Sequence, residues 1–193
     1  MTTLAGTKTL TNLMAAFAGE SQARNRYTYY SKIARNEGYI LVAKIFEETA
    51  DQEKEHAKAL FKYLKDSGAE VTITGTFPTV MAGSVENLAA AAEGEHHEWA
   101  EMYPAFAVTA EQEGFKDIAV VLRNIAKAEA HHQERYDLLR RRLQSETMFR
   151  SDGGPVKWVC QNCGMVHEGP QAPEKCPACA HPKAHFRRAD LNF

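Results

Sequence analysis

No cysteine occurs before Cys160 or after Cys179, and the four present fall inside that short span. Such crowding suits a metal site better than a set of disulfides. No apolar run approaches the roughly 20 residues that a membrane-spanning helix needs, so no membrane association is expected. Charge of either sign is scarce in net terms. The balance is −2, which gives no electrostatic case for nucleic acid or an anionic membrane surface as partner. The N-terminal stretch Met1 to Lys8 lacks the apolar core of a signal peptide, so a cytoplasmic protein is expected. Linkers are scarce as well. Ser151-Asp152-Gly153-Gly154-Pro155 is the one strong candidate in the 193 residues, and it divides the chain into an expected domain 1–150 and a second, 151–193. With 44% hydrophobic and 25% charged residues, a packed core is plausible.

What is present is a repeat. Glu53-Lys54-Glu55-His56 and Glu129-Ala130-His131-His132 each place a glutamate and a histidine at i and i+3, on one side of a helix. A further glutamate precedes each pair, Glu20 and Glu95. Glu53 to Glu129 and His56 to His132 are steps of 76, whereas Glu20 to Glu95 is 75. Glu37-Gly38-Tyr39 matches Glu113-Gly114-Phe115, and Tyr27 matches Tyr103, at step 76. The chain reads as a duplicated helix pair with one residue added between Glu95 and Tyr103. A long helix absorbs one extra residue as a π-bulge, and such bulges tend to lie at functional sites. Glu…Glu-x-x-His in two copies on four helices is the ligand set of a di-iron or di-manganese carboxylate site in a four-helix bundle. The bland alternative, carboxylates on solvated faces, does not explain why two sets stand in register.

Apolar spacing predicts helices over about Thr9–Asn36, Tyr39–Lys65, Ser84–Gln112 and Phe115–Ser145. In the first, Leu10, Leu13, Met14, Phe17, Glu20, Arg24 and Tyr27 make one stripe. The long stretch 69–83 fits a crossover, with Ser84 a candidate cap. Pro104 falls just after the extra residue and supports a local distortion there. The proline-rich tail is too short for an unaided core, so a metal is expected to hold it. Cys160-x-x-Cys163 and Cys176-x-x-Cys179, twelve residues apart, make a tetrahedral thiolate site. Iron and zinc both accept four thiolates, so ligand type leaves an electron-transfer iron and a structural zinc open.

Four buried carboxylates would balance two divalent ions. Glu98, three residues after Glu95, has only Ala23 as its counterpart. An extra carboxylate there could bind one iron when oxidised, with His56 taking its place on reduction. Tyr27 and Tyr103 lie two turns beyond Glu20 and Glu95, where each could hydrogen-bond a ligand carboxylate. His131, His96 and His97 should point away from the site. His167, His181 and His185 are not needed, because four thiolates already complete a tetrahedron.

These motifs, with Ala18-Gly19-Glu20-Ser21-Gln22-Ala23, Gly94-Glu95-His96-His97-Glu98 and Cys176-Pro177-Ala178-Cys179-Ala180-His181-Pro182-Lys183-Ala184-His185-Phe186, resemble the rubrerythrin family over essentially the whole chain. The resemblance implies a mainly α protein: a ferritin-like four-helix bundle with a long crossover, plus a small C-terminal rubredoxin-like Fe(Cys)4 domain. It implies a peroxidase that reduces hydrogen peroxide to water in the cytoplasm of anaerobic or microaerophilic microbes. The family ligands map onto Glu20, Glu53, Glu95, Glu98, Glu129 and His132, with His56 exchanged on reduction and Tyr27 and Tyr103 behind them. Two irons per chain in the bundle and one on Cys160, Cys163, Cys176 and Cys179 are expected, with zinc a possible substitute. Expected partners are hydrogen peroxide and a reduced donor such as rubredoxin or an NAD(P)H-dependent reductase. A ferroxidase or iron-storage protein is the alternative, and a bundle with structural metals used as a binding module is a third reading. His132 to Glu146 spans roughly 21 Å of helix, which places the tail far from the bundle site of its own chain. A head-to-tail homodimer would remove that separation, and the resemblance implies the same. One departure stands out: Ala180 occupies a position where the family usually has glycine.

Overall fold

The structure, a computed structural model, describes residues 3–191. Five α-helices and one π-helical segment form the bundle: α1 Lys8–Asn36, α2 Ile40–Ser67, α3 Ser84–His97, the π segment Glu98–Met102, α4 Tyr103–Gln112 and α5 Lys116–Gln144. α1 packs along α2, and α3 and α4 pack along α5. The turns inside these two hairpins need a left-handed residue, and Gly38 (φ +85°) and Gly114 (φ +90°) supply it at equivalent places in the repeat. The residues 69–83 between hairpins carry no regular structure.

The inserted residue appears as the π segment, between Glu95 and Tyr103. Pro104 follows directly on the π segment, where the Tyr103 N–H bonds Glu98 O, so the missing proline N–H falls at the place where the helical bonding is already irregular. One expectation about α1 is corrected. Met14, Phe17 and Arg24 are only partly buried, while Ala16, Gly19 and Ala23 are buried. Small residues take the innermost face because they let a neighbouring helix approach, and the bulkier members of the predicted stripe flank them. Ser84 is also corrected. Gly83 is the N-cap of α3, and no side chain caps it. Ser84 is the first helical residue, and its N–H donates to Glu37 Oε2 at 3.1 Å.

Two apolar clusters fill the bundle. One surrounds Tyr27, Tyr30, Phe46 and Tyr136; the other holds Leu13, Leu60, Tyr103 and Leu122. Each fully buried Leu or Phe contributes about 1.5–3 kcal/mol. That burial offsets the cost of carboxylates placed between the clusters.

The tail is a three-stranded antiparallel sheet of order β2-β1-β3, with β1 Val156–Cys160, β2 Val166–Gly169 and β3 Phe186–Arg188. Trp158 is its buried centre, and the indole N–H donates to Gly169 O at 3.0 Å. The tail folds back onto the bundle. Met148 and Leu191 join the cluster around Phe46, and Cys160 shares a cavity with Leu41, Ile45 and Glu48 of α2. Glu48 to Glu53 is five residues, roughly 8 Å of helix. The chain reverses after the end of α5, so length along that helix does not measure the distance between the four cysteines and the bundle acids.

Candidate metal centre

Four helices bring the predicted acids together. Glu20 on α1, Glu53 on α2, Glu95 on α3 and Glu129 on α5 are all fully buried. They form two overlapping groups: Glu20, Glu53, His56 and Glu129, and Glu53, Glu95, Glu129 and His132, with ligand atoms in each group within 4.8 Å of one another. Glu53 and Glu129 belong to both. The groups are images of each other under the repeat.

Distances alone suggest a dense ion-pair network. His132 Nδ1 lies 2.7 Å from Glu129 Oε2, 3.1 Å from Glu53 Oε1 and 3.5 Å from Glu95 Oε2. Yet these atoms are buried without an aligned hydrogen bond, and so are Glu20 Oε2 and Glu129 Oε1. Buried polar atoms that crowd together without bonding one another converge on a common point. That is the arrangement a cation satisfies. Oxygen and imidazole donors of this kind suit iron.

Without an ion, protons do the compensating. Burial, then the charge of Glu53, raises Glu20 well above the carboxylate range and Glu95 to about 8. Burial works against ionised Glu53, but contacts with His132 and His56 outweigh it and hold the carboxyl low. Burial also opposes charge on His132, yet Glu129 and Glu53 push it up to about 12. His56 moves the same way, through Glu129 and Glu20.

The tyrosines cross between halves. Tyr27 donates to Glu95 Oε1 at 2.5 Å, and Tyr103 donates to Glu20 Oε1. His131, His96 and His97 are exposed, as expected. Glu98 is outside both groups. It is partly buried and lies against Gly19, while His56 holds the ligand position that the two residues were expected to exchange. Burial, then the charge of Glu20, raises Glu98 well above its usual range.

Sequence reasoning missed a support for His132. Gln52 Oε1 lies 3.0 Å from His132 Nε2 and also accepts from Arg135 Nη2 at 3.2 Å. The amide oxygen that Arg135 faces accepts, so His132 Nε2 carries a proton, and the proton an ion would displace is the one on Nδ1. Arg135 is itself 2% exposed and donates to Glu48 and Thr49. Its place three residues after His132 on the buried face was the available signal.

In the tail, Cys160 Sγ and Cys179 Sγ are 3.7 Å apart, as are Cys163 Sγ and Cys176 Sγ. A disulfide needs about 2.05 Å. A tetrahedron with metal–sulfur bonds of about 2.3 Å has edges of about 3.8 Å, so the thiols stand at coordination spacing. Gly164 (φ +78°) and Ala180 (φ +60°) occupy matching left-handed turns. The N–H groups of Met165 and His181 that follow act to lower the pKa values of Cys163 and Cys179, the first cause in each case. Ala180 therefore makes the turn that glycine usually makes. The His181 N–H is the first cause holding Cys179 down at about 6.

A family model described as rubrerythrin matches residues 11–140, and one described as rubrerythrin, rubredoxin-like domain matches 158–187. The chain is 49% identical to a rubrerythrin of Nitratidesulfovibrio vulgaris over 194 residues, covering all of both chains. It is 50% identical to one from Porphyromonas gingivalis, covering 97% of this chain and 93% of the other. Solved structures of nigerythrin in mixed-valence and all-ferrous states align with TM-score 0.63 at 33% identity, over 96% of this chain and 91% of theirs. Among the described residues, no helix is long and apolar enough to cross a membrane.

Proposed function

The chain belongs to the rubrerythrin family, and on that premise we propose that it is a non-haem di-iron peroxidase, reducing hydrogen peroxide to water with electrons passed through the four-cysteine iron. One observation carries the reading: two four-residue groups share Glu53 and Glu129, so two ions can be held side by side. Bound there, a pair of ferrous ions supplies the two electrons that cleavage of an O–O bond consumes. The protein supplies the rest. Glu20, Glu53, His56, Glu95, Glu129 and His132 hold the ions. Tyr27 and Tyr103 fix the outer carboxylates, and Gln52 fixes the His132 ring. Glu98, raised above the usual carboxylate range beside the site, can hold a proton for the leaving oxygen, and it remains the partner proposed to exchange with His56.

Cys160, Cys163, Cys176 and Cys179 would hold the third iron, which would supply a one-electron relay between the bundle and a reduced donor such as rubredoxin or an NAD(P)H-dependent reductase. The two units are 1–150 and 151–193, and the working assembly is a head-to-tail homodimer in the cytoplasm. An iron-storage protein would have no use for the four-cysteine centre. The test is metal analysis followed by anaerobic mixing of the reduced protein with hydrogen peroxide or with oxygen. Faster oxidation by peroxide, and a ferric-thiolate colour from the tail, are expected. Oxidation no faster with peroxide than with oxygen, or continued iron uptake after both sites fill, would overturn the reading.

A further inference from the structure

Residues 73–80 of the crossover form one wall of a cavity of about 640 Å³ against α1, α3 and the π segment. Ile73, Phe77, Val80, Met102 and Phe106 give it an apolar lining. Gly19, Gly94, Arg26 and Glu98 also face it. The two glycines directly precede Glu20 and Glu95 and hold equivalent places in the repeat. A Cβ on Gly19 would lie 3.6 Å from Glu98 Oε1, and one on Gly94 would lie 3.8 Å from Arg26 Nη2. Lacking side chains, they leave both polar groups open to the cavity, one residue away from the acid cluster.

Hydrogen peroxide does not account for this space. A water takes about 30 Å³ of liquid, and hydrogen peroxide, whose two oxygens are bonded, needs less than twice that, under about a tenth of the cavity. Nor does it account for the apolar wall. Arg26 adds a polar demand: Nε donates to Gln22 Oε1 at 2.6 Å, while Nη1 is buried without a partner. A buried N–H of this kind is costly unless an acceptor meets it.

We propose that this cavity admits alkyl and aralkyl hydroperoxides, ROOH with a small apolar R, as substrates of the adjoining site. The inference rests on the peroxidase reading. The O–O end lies near Glu98 and Arg26, and R lies against Phe77 and Met102. Two electrons from the reduced protein and two protons cleave the O–O bond, giving one alcohol ROH and one water.

Iron-loaded protein, reduced anaerobically, is mixed separately with hydrogen peroxide, tert-butyl hydroperoxide and cumene hydroperoxide. Reoxidation and alcohol yield are followed. One alcohol per hydroperoxide consumed is expected. Ala90→Phe and Ala15→Phe each place a ring in the cavity. Each should lower the ratio of kcat/KM for cumene hydroperoxide to that for hydrogen peroxide by at least about tenfold, the scale on which apolar pockets discriminate. A second readout needs no turnover. In saturation-transfer NMR, cumyl alcohol should contact zinc-loaded wild-type protein and lose that contact in Ala90→Phe. If hydrogen peroxide reoxidises the protein but neither organic hydroperoxide does, this inference fails and the peroxidase reading stands. If none of the three reoxidises it, both fail. Unchanged ratios in both variants, or alcohol contact that survives Ala90→Phe, would also overturn the assignment of the cavity.

Discussion

Sharing of Glu53 and Glu129 between the two groups makes a quantitative prediction about iron. Glu53→Ala or Glu129→Ala removes one of four donors from each group, whereas Glu20→Ala or Glu95→Ala removes one from a single group. With one ion per group, the first pair of variants should lose nearly all bundle iron, and the second pair about half. Tyr103→Phe and Tyr27→Phe leave every ligand in place and remove only the bonds that orient Glu20 and Glu95. Losing such an orienting partner costs about 10–100-fold in metal affinity, or roughly 1.4–2.7 kcal/mol. The order of loss is therefore shared glutamate, then unshared glutamate, then tyrosine. Iron is measured after dialysis against graded chelator, with circular dichroism to verify the fold. The ferric-thiolate absorbance of the tail serves as an internal count, since Cys160 to Cys179 are untouched. If Glu53→Ala retains as much bundle iron as Glu20→Ala, the ligands are not shared and the arrangement is wrong.

Three further outcomes are expected. His132→Ala should lose bundle iron and His131→Ala should not, because the first is buried among Glu53, Glu95 and Glu129 and the second is exposed; equal losses in metal analysis would contradict this. Glu113 accepts from Lys8 N, Thr9 N and Thr9 Oγ1, and its carboxyl is held below the usual range, first by the Thr9 hydroxyl. That stabilisation is complete above the unfolded pKa of about 4.3 and is lost as pH falls through the depressed folded value. Glu113→Gln should thus cost about 0.5–1 kcal/mol in urea unfolding at neutral pH, with solvent exposure keeping it at the low end, and converge with wild type in acid; a gap that widens in acid refutes it. Finally, Cys160→Ser/Cys163→Ser and Glu53→Ala/Glu129→Ala chains can be mixed under subunit exchange. Turnover should recover, since each mixed head-to-tail dimer sets one intact tail opposite one intact bundle; no recovery in verified heterodimers would rule that assembly out.

Much of this was legible in the sequence because it is periodic. The 76-residue step paired the glutamates and histidines of the two groups, and its slip to 75 located the π segment Glu98–Met102. Gly38 and Gly114 marked turns that demand positive φ. What was not legible depends on contacts between distant segments. Gln52 stands beside Glu53 at a position that spacing assigns no role, and only the approach of α5 gives it His132 as partner. Ser84 was a reasonable cap by type, but Glu37 already takes its N–H. The reversal of the tail onto α2, and the crossover wall over Gly19 and Gly94, leave no periodic trace.

The bonds that cross between halves have a consequence for how the two could diverge. Tyr27 serves Glu95 and Tyr103 serves Glu20; Glu37 serves the start of α3 and Glu113 the start of α1. Each hairpin completes the other, as in a two-fold pair, but the two are one covalent chain. Identical hairpins would have to carry every feature twice or not at all. Covalent joining breaks that symmetry. Glu98 exists against Ala23, and Gln52, the support of His132, exists against Ala128, so His56 has no matching glutamine behind it. One histidine has an amide behind its far nitrogen and its twin has none, a difference that two separate identical hairpins could not encode.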